Sequence, residues 1–405
     1  MQRKIISKLI AHLPQKEYTI LVGSRQIGKS TVLQQMHAQQ LANGELSFLI
    51  TFEDIEILNA INQHPEKIFN YITKPNGKRI YLFLDEVQYA TNPSNFLKYL
   101  YDTYGENLKV IATGSRAFYI DRKFTDSLAG RKRIFNLYTL DFEEFLIFKQ
   151  KQNLVDEWLK MRNDTTYMSL KGQEIRTFFE EYIIYGGYPR VVLENNSDEK
   201  KLLLQELVNT FVKKDILESG VGDDIKFYQL FKVLASQIGN LVNQNELANT
   251  LKMAGTTVDN YLYVLQKCFH IQLVNPMYGN LRKELTKMPK VYMNDNGLRN
   301  TLLNMFQPLS ERIDKGQLIE NSVFGRFRDF YGMDAIKYWR TAEGHEVDFI
   351  IETSFNNGNA YEVKYNSKEM KPSKYRKFRD NYPQYPLKCV AFQAEDAEAI
   401  ELLRL

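Results

Sequence analysis

Short apolar runs alternate with longer amphipathic stretches along the first third of the chain. The apolar runs predict buried strands at Tyr18–Val22, Ser47–Phe52, Ile80–Leu84 and Lys109–Thr113. Apolar residues at helical spacing between these runs predict helices, for example at Ser30–Leu41 and Asn95–Tyr104. Because strands that alternate with helices form a mainly parallel sheet covered on both faces, the pattern predicts an α/β fold.

The middle of the chain has a different pattern. From Leu140 to about Lys226 it is helical, interrupted at Tyr185-Gly186-Gly187-Tyr188-Pro189, and it predicts a helical lid or spacer. Two short helices follow, Gln244–Leu251 and a second one that Thr256 would cap, with Val258, Leu262 and Leu265 on its buried face. Strands are then predicted at Ile271–Pro276 and Lys290–Met293, flanking the basic Arg282-Lys283-Glu284. This succession resembles a winged helix.

The last hundred residues combine both patterns. A helix is predicted at Gln317–Tyr331, a second at Lys371–Asn381, and strands at Ala335–Arg340, Glu346–Ile351, Ala360–Tyr365 and Leu387–Phe392. Asn357-Gly358, between the second and third strands, is typical of a hairpin turn. The sequence therefore predicts four domains, at residues 1–145, 146–226, 227–310 and 311–405.

Composition narrows the class of protein. The chain has 405 residues, which is more than one hydrophobic core usually holds, and its 44% hydrophobic and 25% charged residues are ordinary for a globular protein. A net charge of +4 is too small to demand a polyanionic partner. Cys268 and Cys389 are predicted to be small buried residues rather than a disulfide or a metal site. Since no stretch approaches 18 apolar residues, we expect a soluble, cytoplasmic protein without a membrane span.

A phosphate-binding pattern follows the first predicted strand. Gly, four residues and then Gly-Lys-Ser is the spacing at which backbone N–H groups surround a phosphate, helped by the start of a helix. The predicted ATP site comprises Gly23, Ser24, Arg25, Gln26, Ile27, Gly28, Lys29, Ser30 and Thr31. Lys29 would contact the β- and γ-phosphates, and the Ser30 hydroxyl would bind Mg²⁺.

Two further strands end in polar residues. Asp85 and Glu86 follow a buried strand, so Asp85 would hold Mg²⁺ and Glu86 would orient or deprotonate the attacking water. Thr113 or Ser115, at the end of the next strand, would sense the γ-phosphate. A simple Gly-Ser turn after a buried strand stays open as the alternative for this third segment.

Together these segments resemble a known family. Gly23–Thr31, Leu84-Asp85-Glu86-Val87-Gln88, Thr113-Gly114-Ser115 and Ser127-Leu128-Ala129-Gly130-Arg131 look like the AAA-type P-loop ATPases of archaea and bacteria that carry a C-terminal domain of unknown function. The resemblance continues at Asp141-Phe142-Glu143-Glu144-Phe145 and covers nearly the whole chain. It implies a Walker B role for Asp85-Glu86 and a sensor role for Thr113–Ser115. Arg131 is the candidate trans-acting or sensor arginine; Arg116 competes with it, and a merely solvated basic run stays open.

The C-terminal order α-β-β-β-α-β resembles the PD-(D/E)XK nuclease fold. Residues two apart on a strand share a face, so Glu362 and Lys364 would lie together, with Asp348 on the neighbouring strand. The resemblance implies a Mg²⁺ or Mn²⁺ ion held by Asp348 and Glu362, with Glu320 reaching in from the helix and Lys364 stabilising charge. A solvated charged strand face remains the alternative.

Three functions are therefore open. The first is an ATPase whose nucleotide state controls the nuclease-like module; the second is an ATP-gated, metal-dependent DNA nuclease. The third is a nucleotide-dependent scaffold with negligible turnover, which would have no need of Glu86. The winged helix would bind DNA or a protein partner, and its second helix carries Asp259 and Asn260 but little basic charge. Oligomers are compatible with all three functions.

Overall fold

The computed structural model divides the chain into two compact units. Unit 1 comprises Met1–Tyr138 with Lys267–Phe269, and unit 2 comprises Thr139–Gln266 with His270–Leu405. The structure describes residues 1–114, 128–219, 222–278, 284, 287–354, 356–396 and 398–405. Five residues named above lie outside the described residues, namely Ser115, Arg116, Ser127, Arg282 and Lys283. The finer division of unit 2 at residues 226 and 310 stays a prediction.

Unit 1 contains a parallel sheet with helices. Its strands are β1 (Tyr18–Val22), β2 (Leu46–Thr51), β3 (Ile80–Asp85), β4 (Leu108–Gly114) and β5 (Lys132–Asn136). Its helices are α1 (Ile5–His12), α2 (Lys29–Ala42), α3 (Ile55–Gln63) and α4 (Pro93–Tyr104), with 3-10 turns at Pro65–Asn70 and Val87–Tyr89. The strands are hydrogen-bonded in the order β2-β3-β4-β1-β5, and every pair is parallel.

The burial of each strand explains which ones the sequence revealed. Every residue of β1 and β4 is buried, which is why both are mainly apolar in sequence, and the four predicted strands are confirmed. Strand β5 was not predicted. Its residues, Lys132-Arg133-Ile134-Phe135-Asn136, are exposed or half-buried at the edge of the sheet, so they lack an apolar run.

Unit 2 begins with helices and ends with a mixed sheet. The helices are α5 (Phe142–Phe148), α6 (Gln152–Asn163), α7 (Gly172–Tyr185), α8 (Pro189–Leu193), α9 (Ser197–Ser219), α10 (Asp224–Ser236), α11 (Gln244–Leu251), α12 (Gly255–Lys267), α13 (Asn296–Leu303), α14 (Lys315–Tyr331) and α15 (Arg376–Asn381). Strands β6 (Ile271–Val274) and β7 (Lys290–Met293) form an antiparallel pair. The larger sheet contains β8 (Ile336–Arg340), β9 (Glu346–Ser354), β10 (Asn357–Asn366), β11 (Leu387–Gln393) and β12 (Ile400–Glu401). Additional 3-10 turns lie at Leu309–Glu311, Met333–Ala335, Ser367–Glu369, Pro372–Tyr375 and Leu402–Arg404.

The larger sheet has the order β12-β11-β10-β9-β8. Neighbours β8, β9 and β10 are antiparallel, whereas β10, β11 and β12 are parallel. Helix α14 packs on this sheet through Phe324 and Phe327, which share a buried apolar cluster with Phe349 of β9 and Tyr361 of β10. The chain therefore has the predicted order α-β-β-β-α-β from α14 to β11.

Two local predictions in unit 2 need correction in their details. Helix α12 begins at Gly255, so Thr256 lies inside its first turn instead of capping it. The hairpin predicted between the second and third strands of this region is confirmed, because β9 and β10 are antiparallel neighbours. Its turn lies earlier than predicted, since Asn357 and Gly358 belong to β10, opposite Ser354 and Glu352 of β9. A side chain at position 358 would collide with the carbonyl oxygen of Ile351 at 1.9 Å, so this glycine serves a close strand approach.

The predicted helix at Lys371–Asn381 is also shorter than expected. Its first part is the 3-10 turn at Pro372–Tyr375, and only the second part, α15, is α-helical. Tyr375 and Phe378 are both buried, so the tighter turn directs two aromatic side chains into one apolar cluster.

The Tyr-Gly-Gly-Tyr-Pro segment has a packing role. Gly186 has φ +75°, and a Cβ there would meet the Asp295 carboxylate at 2.2 Å. The amide of Gly187 donates a hydrogen bond to Asp295 Oδ2 at 2.8 Å. Gly186 is thus required because a buried carboxylate approaches the backbone after α7, and Gly187 because a Cβ there would lie 2.3 Å from the carbonyl oxygen of Leu140.

Two predictions from composition can be compared with the structure. Both cysteines are buried, as expected. Within the described ranges, no helix is both long enough and apolar enough to cross a membrane.

Candidate functional site

The carboxyl ends of three neighbouring strands in unit 1 bring polar residues to one edge of the sheet. β4 lies between β1 and β3. Leu21 and Val22 of β1 pair with Thr113 and Gly114 of β4, and β3 pairs with the other side of β4. Neighbouring strands are about 4.8 Å apart, so the loop after Val22 and the end of β3 are about 10 Å apart at the same edge. This is the edge where α/β sheets bind ligands.

The loop between β1 and α2 needs its two glycines for different reasons. Gly28 has φ +93°, a left-handed conformation that strains any L side chain, and it is the residue from which α2 begins. At Gly23 a Cβ would lie 2.3 Å from the Leu137 carbonyl oxygen and 2.4 Å from the Ile27 side chain. A tight glycine-rich loop of this kind can direct its backbone N–H groups toward a bound anion. It lies at the N-terminal end of a 14-residue helix, which also favours an anion.

Lys29 is folded back onto this loop. Its ammonium donates hydrogen bonds to the carbonyl oxygens of Gly23, at 3.0 Å, and Ser24, at 2.8 Å, and only 5% of the residue is exposed. A lysine held by carbonyls at this position can exchange them for phosphate oxygens, which are stronger acceptors because they are charged.

Arg3 supports the loop from the N-terminal segment, and the sequence analysis missed it. Its guanidinium donates to the carbonyl oxygens of Ile27, at 2.9 Å, and Tyr138, at 2.8 Å. Arg3 is buried and 24 residues from Ile27 along the chain. No spacing rule connects an arginine before the first helix with a glycine-rich loop.

The end of β3 carries a hydrogen-bonded group of four residues. The Thr113 hydroxyl donates to Asp85 Oδ1 and accepts from the Glu86 amide at 3.1 Å. Glu86 has φ +56°, an uncommon conformation for a residue other than glycine, and Gln88 donates from Nε2 to its carboxylate. Backbone strain and two side-chain contacts therefore orient the two acids. Gln88 is a second contact that the sequence analysis did not single out, although it lies only two residues from Glu86.

Arg131 is not brought to this site. The Arg131 carbonyl oxygen accepts a hydrogen bond from the Tyr18 amide at 2.8 Å, which places it at the amino end of β1, whereas the glycine-rich loop follows the carboxyl end. Its side chain forms an ion pair with Asp102 at 2.8 Å. The geometry excludes Arg131 as a sensor in its own unit, and a role toward another copy stays a prediction.

In unit 2 the predicted acids surround a lysine. The Lys290 ammonium, at the start of β7, lies 2.5 Å from Glu346, 3.4 Å from Glu320 and 3.6 Å from Asp348. We call these four residues the Lys290 cluster. Its lysine side chain is 1% exposed, and burial disfavours the charged form, but the carboxylates outweigh this and raise the pKa of Lys290. Lys290 and Glu346 were not among the predicted site residues.

The other two predicted residues lie beside this cluster. The Lys364 ammonium contacts Glu362 at 2.5 Å, and Asp348 accepts a hydrogen bond from the Val363 amide at 2.8 Å. Burial, reinforced by the Asp348 charge, raises the pKa of Glu362 to about 7. Burial also raises the pKa of Glu320 to about 7, with Lys290 opposing and Asp348 adding to the shift.

A PD-(D/E)XK fold implies a divalent ion held by acids of this kind. The acids of the Lys290 cluster do not fit such an ion as arranged, because the Lys290 ammonium occupies the space that their three carboxylates share. Over the ranges that the structure describes, no three His, Cys, Asp or Glu side chains are grouped so as to hold a metal ion.

Three family models match separate parts of the chain. Residues 15–146 match a family model described as an AAA domain. Two models described as domains of unknown function match residues 176–309 and 315–401. Residues 15–146, which contain the parallel sheet and the glycine-rich loop, are therefore similar to AAA domains.

Two proteins described as uncharacterized are similar to this chain over most of its length. One protein of Methanocaldococcus jannaschii is 27% identical over 360 residues, which cover 87% of this chain and 75% of that protein. Another, from Haemophilus influenzae, is 26% identical over 350 residues, which cover 82% and 78% of the two chains. Among solved structures, the Aeropyrum pernix ORC1 protein in complex with DNA matches with 10% identity and a TM-score of 0.32, covering 75% of this chain and 93% of that one.

Proposed function

We propose that unit 1 binds ATP with Mg²⁺ and hydrolyses it, and that the nucleotide state controls unit 2. The observation that supports this proposal is the edge formed by β1, β4 and β3. There the glycine-rich loop with Lys29 lies beside Asp85 and Glu86. Positive loop groups and strand-end acids at one edge are what binding and cleaving a triphosphate require.

Binding would use the loop from Gly23 to Thr31. Inward-facing amides and the start of α2 would surround the β-phosphate, and Lys29 would leave its two carbonyl partners for phosphate oxygens. The Ser30 hydroxyl and the Asp85 carboxylate fit Mg²⁺, which prefers hard oxygen ligands and would neutralise charge on the phosphates. Thr113 would keep the Asp85 carboxylate turned toward that position.

Hydrolysis would depend on Glu86. Its carboxylate would orient the attacking water and accept a proton from it, while the contact from Gln88 keeps the side chain in place. The left-handed backbone at Glu86 turns its side chain away from the direction that β3 would otherwise impose. Removing this base should slow turnover far more than it weakens binding.

Three proteins test the proposal: wild type, Lys29→Ala and Glu86→Gln. We expect Lys29→Ala to lose binding of a fluorescent ATP analogue, and Glu86→Gln to keep it while hydrolysis falls at least about 100-fold. Lys8→Ala, which removes an exposed lysine of α1, is the matched control and should behave as wild type.

Each alternative result has a distinct meaning. Tight ATP binding by Lys29→Ala would overturn the site assignment. Binding without turnover in the wild type would favour the scaffold, and unchanged hydrolysis by Glu86→Gln would remove Glu86 from the mechanism.

Control of unit 2 can be observed directly. Both tryptophans of the chain, Trp158 and Trp339, lie in unit 2, so their fluorescence reports that unit alone. We expect ATP, but not ADP, to change this fluorescence or the hydrogen exchange of unit 2 in the Glu86→Gln protein. Identical signals with both nucleotides would argue against control.

For residues 227–310, which we propose form a winged helix, protein contact is favoured over DNA binding. Helix α12 places Thr256, Asp259 and Asn260 outside its buried face and carries no basic residue before Lys267. Since lysine and arginine contacts with phosphates supply most non-specific DNA affinity, such a helix is poorly suited to DNA. Salt-dependent binding of duplex DNA, lost when Arg282 and Lys283 are replaced by alanine, would reverse this preference.

A nuclease-like fold for residues 311–405 is likewise a proposal, supported by the order α14-β8-β9-β10-α15-β11. Cleavage of DNA by this unit is the less favoured alternative because Lys290 lies among its acids. The test is incubation of plasmid and single-stranded DNA with Mg²⁺ or Mn²⁺, with and without ATP. Nicking by wild type but not by an Asp348→Ala/Glu362→Ala protein would establish the nuclease.

A further inference from the structure

The Lys290 ammonium lies where three acids of unit 2 converge. It is within 3.6 Å of three carboxylates that come from α14 and β9, while the lysine itself belongs to β7. Strand β7 pairs with β6, and neither belongs to the larger sheet. A separate small hairpin therefore supplies the cation for acids of a different sheet and helix.

The surroundings of the lysine are built rather than accidental. Tyr292, two residues along β7, donates from its hydroxyl to the same oxygen of Glu320 at 2.6 Å. Arg340 contacts the other oxygen of Glu346 at 2.6 Å. The Lys290 backbone is also paired, with Val274 in β6 and in a bridge to Leu241. Strand pairing thus fixes the position from which the ammonium enters the cluster.

A neighbouring acid, Glu362, has a second carboxylate oxygen that could contact a cation. Glu362 Oε1 contacts Lys364, and Oε2 is buried without a hydrogen bond of good geometry among the described residues, although the Tyr375 hydroxyl also interacts with this carboxylate. The side chain of Glu362 is 8% exposed. A buried carboxylate oxygen with no donor is costly unless a cation or a proton compensates it.

We propose that Lys290 holds the divalent-cation position of this acidic cluster, so that unit 2 excludes metal ions while β7 is in place. If the ammonium is removed, three carboxylates that share one position lose their counter-charge. Hard carboxylate oxygens then bind Mn²⁺ or Mg²⁺, whose two positive charges replace the lysine. The proposal concerns unit 2 alone and stands whether or not unit 1 hydrolyses ATP.

Lys290→Met tests this proposal, because methionine has similar length but no charge. The probe is Mn²⁺ alone, measured without nucleotide by the loss of the free-ion electron paramagnetic resonance signal. We expect no Mn²⁺ at the cluster of the wild type up to about 1 mM. Lys290→Met should gain one site, with an affinity at least tenfold tighter than this limit of about 1 mM. The double variant Lys290→Met/Asp348→Asn should lose that added site, which separates it from Mn²⁺ bound in unit 1.

Two controls keep the result decisive. Lys287→Met removes an exposed lysine three residues before Lys290 and should bind Mn²⁺ as the wild type does. Wild-type binding that Asp348→Asn abolishes would overturn the proposal, because the cluster would then be open with Lys290 present.

The folding of the variant gives a second readout. Tryptophan fluorescence follows the unfolding of unit 2, and Mn²⁺ should stabilise Lys290→Met but not the wild type. If Lys290→Met unfolds without metal, millimolar Mn²⁺ should restore the folded signal. A variant that stays unfolded in Mn²⁺, or folds without binding it, would show that no divalent ion can take the place of the ammonium.

Discussion

The Thr113 hydroxyl donates a hydrogen bond to the Asp85 carboxylate, across two neighbouring parallel strands. The Thr113 hydroxyl oxygen also accepts a hydrogen bond from the Glu86 amide at 3.1 Å. One side chain therefore links the residue proposed to hold Mg²⁺ with the residue proposed to act on water. Neither of these two hydrogen bonds involves the glycine-rich loop.

Thr113→Val should separate positioning from folding. Valine has the shape of threonine but leaves Asp85 without its donor and Glu86 without its acceptor, so we expect ATP hydrolysis to fall about 10–100-fold and to need more Mg²⁺. Thr113→Ser keeps the hydroxyl and should stay near the wild-type rate. Steady-state hydrolysis measured over a Mg²⁺ series checks this, and equal rates for valine and threonine would refute it.

Gly23→Ala should disable the loop by contact alone. The new Cβ would meet the Leu137 carbonyl oxygen at 2.3 Å, and backbone cannot yield as a flexible side chain can. We expect ATP affinity to drop at least about tenfold and the free energy of unfolding to fall by about 1–3 kcal/mol. Gly172→Ala, at a position with open space and ordinary φ, is the matched control. Calorimetric ATP titration and urea unfolding measure both effects, and a normal Gly23→Ala protein would contradict the close approach.

Arg131→Ala should leave the nucleotide site of its own unit unchanged. Because Arg131 lies at the opposite end of β1 and pairs with Asp102 in a partly exposed ion pair, its loss should cost about 0.2–1 kcal/mol of stability and no ATP affinity. Asp102→Ala removes the same ion pair and serves as the control. Hydrolysis per chain should be followed over a range of protein concentrations. A rise with concentration in wild type that Arg131→Ala alone lacks would instead establish that the arginine acts on another copy.

Acid should destabilise unit 1 through His12. The ring is buried, its Nδ1 is hydrogen-bonded to Thr19 Oγ1 at 2.8 Å, and Lys109, Arg133 and Glu17 face it. Burial, with help from the Lys109 and Arg133 charges, lowers the pKa of His12 from 6.5 to about 4. The unfolded chain therefore binds the proton first as the pH falls, so stability is complete above pH 6.5 and is lost between 6.5 and about 4.

His12→Asn should remove this dependence while keeping a polar partner for Thr19. We expect the urea midpoint of unit 1, followed by circular dichroism at pH 4.5 to 7.5, to fall more steeply in wild type than in the variant. Tryptophan fluorescence, which reports unit 2, is the internal reference and should respond equally in both proteins. Parallel pH curves for unit 1 would show that His12 does not carry the effect.

The glycine-rich loop and the two acids at the carboxyl ends of β1 and β3 could be predicted because each is marked by residues adjacent in sequence. Gly28, Lys29 and Ser30 are adjacent along the chain, and a buried strand followed by two acids marks its own carboxyl end. Partners of these residues were less visible. Arg3 reaches Ile27 from the N-terminal segment, and Gln88 reaches Glu86 only because a 3-10 turn follows β3.

Strands were predicted where burial made them apolar and missed where it did not. Every residue of β1 is buried and four of its five residues are apolar, whereas β5 at the sheet edge keeps Lys132 and Arg133. The Asn357-Gly358 dipeptide looks like a turn, yet a close strand approach places both residues in β10. Local preference yields in that case to contact with another strand.

Short-range patterns of apolar and polar residues were enough to predict the parallel sheet, the glycine-rich loop and the pair of acids at the end of β3. The position of Lys290 among Glu320, Glu346 and Asp348 depends instead on how distant segments pack together. Those acids are 30 to 58 residues further along the chain, and no periodicity connects them to the lysine. The lysine and the acids meet where β7, α14 and β9 pack together and exclude water. A buried ammonium and its carboxylates must then compensate one another's charge.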